Sequence, residues 1–192
     1  MGVFAGAAYA GPSQGNTAQP SFPATALIGD RKARLKDLMP GDGKGKNGKQ
    51  KPSSREELGE QMKKCKEMLE RAGKLSGKKA QLLVARIKKK AGTTQLRQYR
   101  ADGDEACIEN AEKCLKEAKA EHEQLGSTGI DYAKALYWLS VASYALGKNT
   151  ESEAHADACI QKAGNENGWL QDMAKNIRSL ALMEINEENI NR

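Results

Sequence analysis

The sequence predicts an all-α protein of antiparallel helical hairpins, stacked as repeats or closed as a bundle, preceded by an extended N-terminal arm. Three observations carry that expectation. From Ser54 onward apolar residues recur at three- and four-residue spacings, the period of one helix face. Candidate caps and glycines break the pattern at intervals of a helix length. The stretch Ile130 to Gly147 is apolar around most of a helical circumference, with Lys134 its only charge after Asp131, so neighbouring helices must cover it.

Composition divides the chain before any element is assigned. Apolar residues make up 39% of the 192 and aromatic ones 5%, which allows one modest core with an appendage. Net charge is +5 over residues 1–54, +9 over 55–101 and −8 over 102–192. The natural division is an arm and linker over 1–53, a basic helical hairpin over 54–101 and an acidic helical core over 102–192. The basic segments either fold against the acidic ones or dock on an acidic partner.

Residues 1–29 are rich in Gly, Ala, Pro, Ser, Asn and Gln, and such a composition buries too little to order itself in isolation. Ala8-Tyr9-Ala10 resembles the small-x-small site of an export signal, although no basic stretch precedes it. Gly6 stands where myristoylation needs Ser or Thr. Asp30 to Met39 suits two to three turns of amphipathic helix, with Leu35, Leu38 and Met39 on one side and Pro40 as its stop. The linker that follows carries Lys44, Lys46, Lys49 and Lys51. It is not a phosphate-binding loop, because Gln50 follows Lys49 where Ser or Thr is required.

Ser54 and Glu57 form a capping box opening a helix with Leu58, Met62, Cys65, Leu69 and Ala72 inward, and Gly73 ends it. Ser76 is the expected cap of a second helix, with Ala80, Leu83, Val84, Ile87 and Ala91 as its stripe and Gly92 as its end. Lys78, Lys79, Arg86, Lys88, Lys89 and Lys90 surround that stripe. Residues 93–104 read as a hinge or short helix. A third long helix, Asp104 to Leu125, places Cys107, Ala111, Cys114, Ala118 and Leu125 on one face, with Ile108 and Leu115 alongside. The central helix over 130–147 supplies Leu136, Tyr137, Trp138, Leu139 and Tyr144 to the core, and is too short to span a bilayer, which takes about 20 apolar residues. Thr150 and Glu153 suggest a second capping box, before a helix with Ala156, Cys159, Ile160 and Ala163 inward. The last helix buries Trp169, Leu170, Met173, Ala174, Ile177, Leu180 and Ala181, and the polar tail after it is expected to fray.

Leu136, Leu139, Ser140 and Gly147 match Leu170, Met173, Ala174 and Ala181 at a spacing of 34 residues. Over residues 133–182 this resembles a tetratricopeptide repeat, with Leu139-Ser140 at the large-small pair, Gly147 at the turn, and Ser152, Ala156 and Cys159 at small positions of the second helix. Ser143 departs from the pattern, where an aromatic is usual, and no proline closes the unit. The resemblance covers about one and a half repeats and implies a protein-binding fold without a chemistry.

Candidate chemistry is sparse. Cys107 and Cys114 share a helix face about 10 Å apart along the axis, too far for a mutual disulfide. Bridges from Cys114 to Cys159 or Cys65 to Cys107 stay open beside the simpler reading of four buried small side chains. His122 and His155 read as surface histidines. Glu105, Glu109, Glu112, Glu117, Glu121 and Glu123 interleave with lysines as a solvated, ion-paired face. No catalytic constellation, cofactor loop or metal-ligand spacing is legible, so no enzymatic activity and no cofactor is expected. The leading expectation is an interaction subunit of a larger assembly, docking through the arm and through Lys44, Lys46, Lys49, Lys51, Lys78, Lys79, Arg86, Lys88, Lys89 and Lys90. The same cations suit nucleic acid as an alternative. In layout alone the chain is also similar to the Q-type extrinsic proteins of photosystem II, which implies an exported subunit peripheral to a membrane complex.

Overall fold

The computed structural model describes Arg31, Arg34, Leu35, Leu38 and Met39, then residues 54–164 and 167–191. The described residues are helical with short connections and contain no strand. The helices are α1 (Arg55–Ala72), α2 (Lys78–Asp102), α3 (Glu105–Gln124), α4 (Ile130–Ala145), α5 (Asn149–Ala163) and α6 (Gly168–Ile190). Each packs on its sequence neighbours, and α4 also touches α2 and α6.

The cap of α1 is as the sequence suggests. The Ser54 hydroxyl accepts from the Glu57 amide at 3.2 Å, and the Glu57 carboxylate accepts from the Ser54 amide at 3.1 Å, which satisfies two end donors reciprocally. Two other expected caps are absent. Gly77, not Ser76, precedes α2, and Lys148 precedes α5, neither with a side-chain cap.

Helix α2 corrects the sequence reading most. Gly92 does not end it; the helix runs through residues 93–102. The glycine marks a crossing instead, since a Cβ there would lie 2.6 Å from Leu115 Cγ and 3.0 Å from the Ala111 carbonyl oxygen of α3. Thr93 and Thr94 both donate their hydroxyls to the Lys90 carbonyl, at 2.9 and 3.0 Å, so these polar side chains are satisfied within the helix. With the helix extended, Leu96 and Tyr99 enter the main core. Leu83 stays exposed, and Ala80, Ala85, Ile87 and Ala91 are the buried positions there.

In α3 the buried face is Ile108, Ala111, Glu112, Leu115, Ala118 and His122, while Cys107 and Cys114 are only half-buried. Helix α4 is enclosed as expected. Leu136, Tyr137, Leu139 and Tyr144 are buried, and Trp138 is half-buried with its ring edge-on to Tyr137 at 5.3 Å. Small residues bring α5 close, and the Ser152 hydroxyl donates to the Ser140 carbonyl at 2.9 Å. Helix α4 closes at Gly147, whose φ of +74° favours glycine, and the Lys148 amide reaches back to the Ser143 carbonyl at 2.9 Å.

Cys159 and Ile177 complete this core. Trp169 lies at 55% exposure, outside it, whereas Glu184 continues the buried stripe of α6. The helix persists to Ile190 instead of fraying at residue 186. A smaller cluster of Cys65, Ala72, Ile87 and Ala91 joins α1 to α2.

Candidate interaction surface

The described residues of the N-terminal segment lie on the chain's own helices. Arg31, Arg34, Leu35 and Leu38 are helical, the Met39 amide bonds the Leu35 carbonyl at 3.0 Å, and Leu35, Leu38 and Met39 belong to the main core. The apolar side expected of this segment is therefore the side it buries. Residues 1–30 and 40–53, including the expected contacts Lys44, Lys46, Lys49 and Lys51, lie outside the described residues.

Polar contacts fix the segment at both ends. Glu184 of α6, 5% exposed, accepts from Arg31 Nε at 2.7 Å and lies 2.6 Å from Arg31 Nη2. Its other oxygen accepts from the Tyr144 hydroxyl at 2.7 Å and faces Arg34 at 3.7 Å. Burial, reinforced by Glu184, pushes the Tyr144 phenol up to about 12, so it remains a donor. At the other end the Tyr137 hydroxyl donates to the Leu38 carbonyl. Any Cβ on Gly147 would run into the Arg31 guanidinium, so the turn after α4 leaves room for it.

The expected cationic surface divides into two groups. Arg86 and Lys89 both hold Asp131, at 2.7 and 2.8 Å, and Lys88 bridges Glu121 at 3.0 Å and Glu117 at 3.3 Å. These three tie α2 to α3 and α4. Burial disfavours the Asp131 carboxylate, but Lys89 and Arg86 outweigh it and hold its pKa below the ordinary value. Lys78, Lys79 and Lys90 are exposed and make no ion pair with a described residue. Beside the turn between α1 and α2 stand exposed apolar groups, Leu75 at 60% and Met68 at 43%.

The two histidines are not on the surface. His122 is fully buried, with its ring 5.5 Å from Tyr132 and neither nitrogen hydrogen-bonded among the described residues. Burial first, then the charges of Lys89 and Arg86 against that of Asp131, lower its pKa. His155 is half-buried, and burial lowers its pKa too. The four cysteines are free thiols, with Cys65 and Cys159 buried. Among the described residues no group of His, Cys, Asp and Glu could hold a metal ion, and no helix is long and apolar enough to cross a membrane.

Glu184 escaped the sequence reading and His122 was placed on the surface by it, although a signal existed for each. Ile177 and Ala181 point three residues on to Glu184, and Leu115 and Ala118 point four on to His122, so both lie on buried stripes. Comparison with protein-family models, curated proteins and solved structures gives no match.

Proposed function

We propose that this chain is a non-enzymatic interaction subunit of a larger assembly, with the helical hairpin of α1 and α2 as a docking element. The supporting observation is the end of that hairpin. Leu75 is exposed there, in sequence between the exposed Lys74 and Lys78 with Lys79 following, and Met68 and Leu83 are exposed farther along α1 and α2. An exposed apolar anchor flanked in sequence by cations suits a protein partner with an acidic rim around an apolar surface. In this reading the antiparallel hairpins over residues 133–182 are a second protein-binding module.

The test is gentle co-purification of the full chain from its source, beside the variant Lys78→Glu, Lys79→Glu, Leu75→Ser. Companions retained by the native chain and lost by the variant support the proposal. Recovery of the native chain alone, or equal recovery of companions by both, rejects docking at this end.

Nucleic acid is the second reading, favoured by the exposed Lys78, Lys79 and Lys90 and weakened by the internal engagement of Arg86, Lys88 and Lys89. Contacts of this kind would be mainly with phosphate, so affinity for an arbitrary duplex or RNA should fall steeply between about 50 and 200 mM salt. Absence of binding at the lower salt removes this reading.

A further inference from the structure

We infer that α6 pairs with α6 of a second copy of this chain, antiparallel and across a two-fold axis, through a heptad seam that the chain's own core leaves open. The surface is separate from the turn between α1 and α2, and the inference does not rest on docking there.

Helix α6 carries two seams. The first, from Leu170 through Ala174, Ile177 and Ala181 to Glu184, is buried against the chain's own helices. The second is offset by one residue, a rotation of about 100°. Trp169, Met173, Leu180, Met183 and Ile190 form it, with Asn176 and Glu187 at its two polar positions, and the seven recur at spacings of 4, 3, 4, 3, 4 and 3. That is the a/d period of a helix that packs lengthwise on another helix. Met173 and Leu180 are half-buried at the edge of the main core. Trp169, Met183 and Ile190 are 55%, 54% and 74% exposed, and they are half of the six large apolar side chains left exposed among the described residues. A seam of this length with its anchors in water lacks the helix it is patterned for.

The seam complements itself, which makes a second copy its occupant. Two antiparallel seams set each a position against a d position of the other helix. In the register that places Leu180 against Met183 of the second copy, Met173 meets Ile190 and Asn176 meets Glu187. Apolar then faces apolar at every layer but one, and in that layer an amide can donate to a carboxylate. A slip of one heptad sets Asn176 against Leu180 and Trp169 against Glu187, and a parallel pair sets Glu187 against Glu187. Charge selects the same orientation. Residues 168–179 carry Lys175 and Arg178 against Asp172, a net +1, whereas 180–190 carry Glu184, Glu187 and Glu188, a net −3. Antiparallel pairing brings the unlike halves together, and parallel pairing stacks the carboxylates. The result is an isologous two-fold contact, the commonest closed arrangement of like chains, with the Asn176–Glu187 layer fixing its register.

The experiment is sedimentation velocity of the full chain over a concentration series, which should show a dimer that dissociates on dilution. Met183→Glu alters an exposed position, so far-UV circular dichroism should stay native while dimerisation weakens at least about tenfold. Asn176 and Glu187 are also exposed within one chain, and their coupling tests the register. Asn176→Leu and Glu187→Leu each leave one polar group facing a leucine, whereas the double variant pairs leucine with leucine. The double variant should therefore dimerise at least about tenfold more tightly than the two single effects multiplied together, a coupling that an indiscriminately adhesive surface would not show. The hairpin variant Lys78→Glu, Lys79→Glu, Leu75→Ser should dimerise as the native chain does, so failure here and failure of docking at the hairpin are read separately. A native chain that stays monomeric up to about 200 μM, or additive effects at Asn176 and Glu187, overturns the proposal. A monomeric chain whose co-purifying companions are lost on Met183→Glu overturns it too, because the seam then belongs to a different protein.

Discussion

Replacing Glu184 with Gln tests the polar anchor of the N-terminal segment at nearly constant shape. The native carboxylate is 5% exposed and lies 2.6 Å from a guanidinium whose side chain is 16% exposed. Removing one partner of a buried pair costs about 3 to 5 kcal/mol, since the other charge stays desolvated. Two features of the site reduce that figure. Glutamine retains one acceptor, and Arg31 at 16% exposure can turn towards water, so a loss of about 2 kcal/mol is expected. Arg31→Ala leaves Glu184 its Tyr144 donor, and its cost is limited by the free energy with which the segment undocks locally. Both single variants and the double variant should be unfolded in urea, followed by far-UV circular dichroism, and compared at equal slope. A coupling near 1.5 to 2 kcal/mol is expected, and one below about 0.5 kcal/mol would show that the pair does not hold the segment.

Acid should destabilise the protein through His122. Its folded pKa lies below the ordinary 6.5, so the unfolded chain takes up the proton first, and stability present above pH 6.5 is lost as pH falls from there towards the folded pKa. His122→Phe should flatten that part of the profile, whereas an unchanged slope would mean that another group is responsible. Gly92→Ala gains about 1 kcal/mol of helix propensity but forces a Cβ against Leu115, so a net loss of about 1 to 2 kcal/mol is expected by urea titration, and a stabilised variant contradicts the crossing. With a thiol reagent, half-buried Cys107 and Cys114 should react in the native protein before Cys65 and Cys159. Burial pushes the Cys159 thiol up to about 12, so labelling of Cys159 at the rate of Cys107 would remove it from the core.

Local signals made the helices legible, and long-range ones did not make their partners so. The Ser54–Glu57 cap, the enclosed α4 and the amphipathic side Leu35-Leu38-Met39 are each written within one or two turns of chain. Gly92 misled because a glycine that ends a helix and one that admits a neighbour look alike until the neighbour is known. Two cap-like sequences failed for a related reason: Ser76 and Thr150 have the chemistry of caps, but the chain enters α2 at Gly77, just after Ser76, and α5 at Lys148, before Thr150. Arg31 and Glu184 lie 153 residues apart, and nothing local to either names the other. Likewise the lysine-rich face of α2 reads as one docking surface until α3 and α4 bring Glu117, Glu121 and Asp131 to it. Buried Glu184 and His122 were the available clues, because each extends an apolar stripe where a charged or titratable residue has to find company or remain neutral.

Native-state hydrogen exchange at the Met39 amide tests the seating of the N-terminal segment most directly, since that amide donates to the Leu35 carbonyl beneath three buried side chains. Exchange in the full chain should be at least about a hundredfold slower than in a free peptide of residues 30–39, and Glu184→Gln should accelerate it. An amide that exchanges in the intact protein at the free-peptide rate would contradict the docked segment and its Arg31–Glu184 anchor.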